Sequence, residues 1–392
     1  MILRHLRGIL YGKPFLASLD RSGMRDDREH CAYIREGDAH CDLPDGYRAY
    51  IIESLPEESE RVAVAAEHPD ASFLFGVEDT AALCDFDVAE VTSGGRLHLL
   101  YRDQSSDNVL FITNQCNSNC IMCPDSETAR LRPSVITKDF LLQLIGLIPG
   151  DTRFLTITGG EPTLMKWDLC EILLACREHF ERTSFLLLTN GRSFSSDEYR
   201  EKILECVPDR IRFGIPLHAP EAALHDRISG IPGSFAQTTY ALLHLQHRIT
   251  LEIRIVVSKL NYRFLHEIAA YIANHYPQTK VVCFMGMELL GSAALRRDML
   301  WIDYSETIAA LDAAAKILIS SGIDMKIYNY PLCSLPNHLW SLAVQSISDY
   351  KTSYRPECAS CSVRSACGGF FSSTVKYKGI SVHPIMEDHH EK

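Results

Sequence analysis

From residue 108 onward, short apolar, β-branched runs alternate with longer segments of helical period, and this alternation restricts the fold more than any other feature. The runs are NVLFIT (Asn108 to Thr113), RFLTIT (Arg153 to Thr158), SFLLLT (Ser184 to Thr189), RIRFGIPL (Arg210 to Leu217), TLEIRIVV (Thr250 to Val257) and KVVCFM (Lys280 to Met285). Their apolar content predicts strands buried on both faces, as in a parallel sheet. Between them, Phe140, Leu144, Leu147 and Ile148 share one helical face. Ile308, Leu311, Ala315, Leu318 and Ile319 share another, with Ser305 as N-cap and Gly322 as stop. Six strand–helix units predict an α/β fold with right-handed crossovers, its sheet closed or part-closed into a barrel. Chemistry in such sheets collects at the C-terminal ends of the strands.

The rest of the chain reads differently. Residues 1–105 carry short strand-like runs, YRAYIIESL and SFLFGV among them, and DVAEVTSGGRLHLLYR reads as a hairpin turning at Gly94–Gly95. A small β-rich domain is expected there, followed by the barrel over 106–322, a cysteine-rich domain over 323–380 and a disordered tail over 381–392. The chain of 392 residues is long enough for this division. No stretch is apolar enough to cross a bilayer, and MILRHLRGILYGK is too short and interrupted for a secretion signal, so a cytoplasmic protein is expected. A net charge of −11 without a basic run argues against nucleic acid as the main partner and suits a neutral or cationic one.

Fourteen cysteines without an export signal are not read as a disulfide framework. Six of them fall into two groups by spacing. Cys116, Cys120 and Cys123 form C-x3-C-x2-C just after the first barrel strand. Three thiolates on one loop can converge on an iron–sulfur centre and leave one iron of a [4Fe–4S] cluster without a protein ligand. Zinc is the competing reading, although it takes four protein ligands, or three with a catalytic water. One strand–helix unit later, TITGGEPTL puts Gly159 and Gly160 where the backbone can approach a ligand closely, with Glu161 as an acceptor for an ammonium group.

The cysteine loop and the GGEP turn together resemble the radical SAM superfamily, whose loop is C-x3-C-x-aromatic-C. Met122 stands here at the aromatic position. The resemblance implies a partial (β/α)6 barrel, S-adenosylmethionine (SAM) on the open iron, and SAM contacts from Gly159, Gly160, Glu161 and Pro162. Asn190, in LLLTNGRSF, matches a position often near SAM, and Arg254 is a candidate for the SAM carboxylate or for a structural ion pair. GIPLHA carries Pro216 and His218 where many relatives have serine and aspartate, so His218 is either substrate-facing or structural. Glu288, in FMGMELLGSA, follows the sixth strand, where relatives approach the adenine.

The second group, PECASCSVRSACGGFF, holds Cys358, Cys361 and Cys367 in C-x2-C-x5-C; Cys333 upstream can supply a fourth ligand, and without it a cluster there would have an open iron able to bind substrate. Four thiolates suit an auxiliary [4Fe–4S] cluster or a structural zinc. The pattern resembles the SPASM or twitch extension that follows radical SAM barrels, which implies iron–sulfur.

The loop ITNQCNSNCIMC, the FMGMELLGSA stretch, and PLCSLPNHLW followed by SISDYK and CASCSVRSACGGFF are similar to the His-Xaa-Ser system radical SAM maturases of the HxsC family. That resemblance implies a ribosomally made peptide with His-Xaa-Ser repeats as substrate, a second radical SAM maturase as partner, and an external electron donor. Neither nucleic acid nor membrane is implied. The N-terminal domain would then recognise the peptide, by strand addition to an exposed sheet edge. Two alternatives stand beside this reading: a radical SAM enzyme acting on a small molecule or nucleotide, and a non-catalytic scaffold on the same fold.

Overall fold

The computed structural model describes residues 6–37, 43–345, 351–377 and 382–386. The first residues of MILRH, the SISDY stretch and most of the MEDHHEK tail lie outside the described residues. The chain forms two compact units, one of residues 1–110, 136–156 and 172–184, the other of 111–135, 157–171 and 185–392.

The first unit is built on β1 (Leu6–Arg7), β2 (Ile9–Tyr11), β3 (Phe15–Asp20), β4 (Cys31–Arg35), β5 (Ala49–Ile52), α1 (Glu58–Glu67), β6 (Ser72–Phe75), β7 (Val88–Val91) and β8 (Arg96–Tyr101). The expected hairpin is present as antiparallel β7 and β8. Strand order is β1-β8-β7-β3-β4-β5-β6-β2, and only Gly8 separates the two outermost strands. The segment Leu6–Tyr11 thus pairs with β8 through Leu6 and Arg7, and with β6 through Ile9, Leu10 and Tyr11, closing the sheet on itself. An alanine Cβ at Gly8 would stand 2.5 Å from the Phe75 carbonyl oxygen. Glycine is what lets one strand pass between two.

The chain's own segment Leu6–Tyr11 thus covers the β6 rim from Phe73 to Phe75 and the Arg96–Leu97 end of the β8 rim, which shortens any edge open to an added strand. Ala17, Ala32, Ala49 and Ala89 face the interior among Leu19, Ile34, Ile51, Leu74, Val91 and Leu97. Small residues beside large ones let the side chains of a narrow barrel interdigitate. On the opposite face, Tyr50, Phe73 and Phe75 pack with Val64 of α1.

The second sheet contains β9 (Asn108–Phe111), β10 (Phe154–Thr158), β11 (Ser184–Leu188), β12 (Ile211–Pro216), β13 (Thr250–Val256), β14 (Val281–Met285), β15 (Asp324–Tyr328) and β16 (Ala343–Val344), hydrogen-bonded in chain order. Parallel pairing runs from β11 through β16. The sheet is open, with β9 and β16 at its edges. Two strands more than expected take part. The sheet extends past residue 322 because the helix Tyr304–Ser320 returns the chain to pair Val281–Met285 with Asp324–Tyr328.

The helices are α2 (Glu127–Leu131), α3 (Lys138–Leu147), α4 (Asp168–His179), α5 (Asp197–Cys206), α6 (Ala222–Ser229), α7 (Ser234–Leu245), α8 (Leu265–His275), α9 (Gly291–Leu295), α10 (Arg297–Leu300) and α11 (Tyr304–Ser320). A last antiparallel pair joins β17 (Thr352–Ser353) to β18 (Phe370–Phe371). The buried face of α3 is Leu141, Leu144 and Ile145, shifted from the expected one, which leaves Phe140 and Leu147 half-buried. In α11, Asp303 rather than Ser305 is the N-cap, its carboxylate accepting from the Ser305 N–H at 3.0 Å. Ile319 is exposed, because the packed face follows Leu311, Ala314, Ala315 and Leu318.

Burial on both strand faces holds over the middle of β10, β11, β12 and β14, where consecutive residues are buried. In β12 to β15, Phe213, Ile215, Ile253, Ile255, Phe284 and Ile327 are fully buried on one face. Of the alternate positions, Glu252 and Cys283 are buried too, while Arg212, Arg254, Met285, Lys326 and Tyr328 are partly exposed. A part-closed sheet leaves its concave face unfilled, so polar side chains and a ligand can occupy it.

Candidate active site and second cysteine centre

The loop after β9 is pinned by backbone hydrogen bonds from three directions. Gly160 and Glu161 N–H donate to the Thr113 and Gln115 carbonyls at 2.7 and 2.8 Å. Asn119 and Ile121 N–H donate to Ser229 and Ile228 at the end of α6, both at 3.0 Å, and Ala293 N–H donates to the Cys123 carbonyl at 3.3 Å. Two glycines make the approach possible. A Cβ at Gly160 would lie 2.2 Å from the Gln115 carbonyl oxygen, and one at Gly230, where φ is +71°, 2.2 Å from that of Asn119.

On this frame Cys116, Cys120 and Cys123 sit half-buried with free thiols. Burial pushes the Cys116 thiol up to about 11 and Cys120 to about 12, and raises Cys123; the neighbouring cysteines add to the rise at Cys116 and Cys120. Thiols so placed stay protonated at neutral pH until a metal displaces the proton. Arg130, 5% exposed, acts against the rise at all three. It is held by Asn119 Oδ1, to which its Nη2 donates at 2.8 Å. Sequence reading missed Arg130, since one arginine in ETARLRP carries no periodic or spacing signal.

Met122 is buried with Ile228, Met287, Leu289, Ala293 and Leu300, an apolar cluster behind the loop. Gly159 and Gly160 are half-exposed, whereas Glu161 and Pro162 are buried. The Glu161 carboxylate is sealed from solvent and fully engaged. Its Oε1 accepts from Thr163 N–H at 3.1 Å, Thr163 Oγ1 at 2.7 Å and Thr189 Oγ1 at 2.7 Å, and its Oε2 from Asn190 N–H at 2.6 Å. Burial raises its pKa, opposed by these four donors. Among the motif's groups, the glycine backbone is the part left open to a ligand.

Asn190 reaches the cysteine loop directly, its Nδ2 donating to Asn117 Oδ1 at 2.7 Å. Arg192, two residues on, donates from Nη1 to the Asn117 carbonyl at 2.7 Å. Arg254 is ion-paired with Glu252 of its own strand, and Arg212 Nε stands 3.2 Å from the same carboxylate. His218 is 3% exposed, and its backbone N–H donates to His225 Nδ1 at 3.3 Å. Glu288 is paired with Lys351 at 3.1 Å.

Cys333, Cys358, Cys361 and Cys367 line one cavity, together with Tyr354, Phe370, Val382, His383 and Pro384. Cys333 senses the other three, which add to the rise that burial imposes on its thiol. Cys367 Sγ accepts from Leu332 N–H at 3.3 Å and Gly369 N–H at 3.4 Å. Soft thiols around a shared space, with amide donors aimed at sulfur, fit a thiolate-ligated centre. No three His, Cys, Asp or Glu side chains among the described residues converge on a single-ion site. Residues 382–386, expected in a disordered tail, are instead hydrogen-bonded beside this cavity, Ser362 N–H donating to the Ile385 carbonyl at 2.9 Å.

Residues 110–272 match the radical SAM superfamily. The matched segment takes in the first cysteine loop, the GGEP turn, Asn190 and Arg254. Over 159 residues the chain is 26% identical to the antilisterial bacteriocin subtilosin biosynthesis protein AlbA of Bacillus subtilis (strain 168), covering 40% of this chain and 34% of that protein. Over 159 residues it is 24% identical to the AdoMet-dependent heme synthase of Nitratidesulfovibrio vulgaris, covering 40% and 42% respectively. The match therefore spans less than half the length of either relative. Among solved structures, Streptococcus suis SuiB bound to precursor peptide SuiA is similar with a TM-score of 0.44 at 13% identity, over 56% of this chain and 48% of that one. Native anSMEcpe with bound AdoMet gives 0.44 at 16% identity, over 56% and 63%. No helix among the described residues is long and apolar enough to cross a membrane.

Proposed function

We propose that this chain is a radical SAM enzyme that modifies a ribosomally synthesised peptide, a His-Xaa-Ser precursor in particular. The observation that carries the chemistry is the backbone-pinned loop of Cys116, Cys120 and Cys123 joined to the GGEP turn, inside the segment that matches the superfamily. These three thiols would hold a [4Fe–4S] cluster with one iron left for SAM. The cluster and SAM, when bound, supply a 5′-deoxyadenosyl radical that removes a hydrogen atom from the substrate. The chain's own part is positional. Glu161 locks the ends of two strands together, Asn190 and Arg192 hold the loop, Arg130 offsets the negative charge of the thiolates, and the Met122 cluster excludes water behind them.

The peptide substrate draws on the likeness to a bacteriocin biosynthesis protein and on the motifs shared with the His-Xaa-Ser maturases. Cys333, Cys358, Cys361 and Cys367 are read as an auxiliary [4Fe–4S] site. A second radical SAM maturase and an external electron donor complete this reading, with the protein working in the cytoplasm. The likeness to a heme synthase favours a second reading, a small-molecule substrate.

The test is anaerobically reconstituted protein with SAM, a reductant and a His-Xaa-Ser precursor peptide, followed by mass spectrometry of the peptide and assay of 5′-deoxyadenosine. A changed peptide mass that is lost in Cys116→Ala supports the proposal. Equal 5′-deoxyadenosine with and without peptide, the peptide unaltered, would transfer the assignment to the small-molecule reading.

A further inference from the structure

The segment at 382–386 bears on the second centre in three ways. Val382, His383 and Pro384 form part of the cavity wall around the four cysteines. The Ile385 N–H donates to Cys361 Sγ at 3.4 Å. The Ile385 carbonyl in turn accepts from both Ser362 N–H and Ser362 Oγ, each at 2.9 Å, which anchors the segment next to Cys361.

From this arrangement we propose that residues 382–386 are a closing strap of the auxiliary centre, with the Ile385 amide as the positioning group that orients Cys361 for metal. The proposal rests on reading the four cysteines as a metal centre. Amide donors to a ligating sulfur withdraw charge from it and fix its direction, and the loss of such a partner weakens metal binding. The strap also removes one side of the cavity from water. Its Ile385 amide reaches Cys361, while Cys367 is served by Leu332 and Gly369, so the strap supplies Cys361 with the kind of donor that the rest of the fold supplies to Cys367.

The experiment uses the full chain carrying Cys116/Cys120/Cys123→Ala, so that only the second centre can hold metal. After anaerobic reconstitution, iron, sulfide and zinc are counted and metal loss to a chelator is timed. Ile385→Ala keeps the amide and should release metal at the parent rate. Ile385→Pro removes it and should release metal about tenfold faster. Ser362→Ala leaves the strap's backbone intact but removes one anchor, and should release metal faster than the parent, which keeps the test valid if the proline variant does not fold. Parent-like rates in both Ile385→Pro and Ser362→Ala, or equal acceleration in Ile385→Ala and Ile385→Pro, would overturn the strap while leaving the centre in place. A parent that binds neither iron nor zinc overturns the auxiliary centre and the strap with it.

Discussion

The Asn190 backbone N–H donates to Glu161 Oε2 at 2.6 Å and so ties the chain after β11 to the turn after β10. The same asparagine side chain reaches Asn117 in the cysteine loop. One carboxylate and one amide residue therefore set the relative position of three strand ends at the site.

Replacing Glu161 with glutamine leaves the shape but puts an NH2 group against donors. At least one of the four bonds is lost in a site closed to water. The variant should lose about 1–3 kcal/mol of stability and bind SAM more weakly, as read by denaturant unfolding and equilibrium dialysis. Unchanged unfolding would show that the network does not brace the turn.

Arg130 is the buried cation nearest in effect to all three thiols of the first loop. Arg130→Met keeps much of the side-chain volume and removes the charge. Iron retention by the first centre under chelator challenge should fall about tenfold, with the second centre unaffected.

His218 and His225 are buried with their pKa values pushed down by desolvation, to about 3 and about 4. Unfolded, each titrates near 6.5. Between these limits the unfolded chain binds more protons, so stability present above pH ~6.5 is lost as pH falls toward 4. For His225 alone the loss should reach about 3 kcal/mol. In His225→Phe the slope of unfolding free energy against pH over that window should flatten; an unchanged slope would refute the burial account.

Gly8 is flanked by the Phe75 carbonyl on one side and accepts its place from the Gly95 carbonyl, to which its N–H donates at 2.9 Å, on the other. Gly8→Ala should cost about 1–3 kcal/mol through steric overlap. Deleting residues 1–11 should expose both rims and promote aggregation, measured by light scattering.

Much of this was legible from residue order alone. The six strands from Asn108 to Met285, the hairpin at Gly94–Gly95 and both cysteine groups follow from spacing, because side-chain period and ligand loops are local properties of a chain. Tertiary structure decided the rest. Leu6–Tyr11 closes a barrel by pairing with residues more than sixty positions away, which no local pattern encodes. Arg254 pairs with Glu252, His218 is buried and Glu288 meets Lys351 because folding chose their partners. Residues 382–386 are proline-broken and too few to show a periodicity of their own; they are held by hydrogen bonds to Ser362 and Cys361, groups that only the folded chain brings to them.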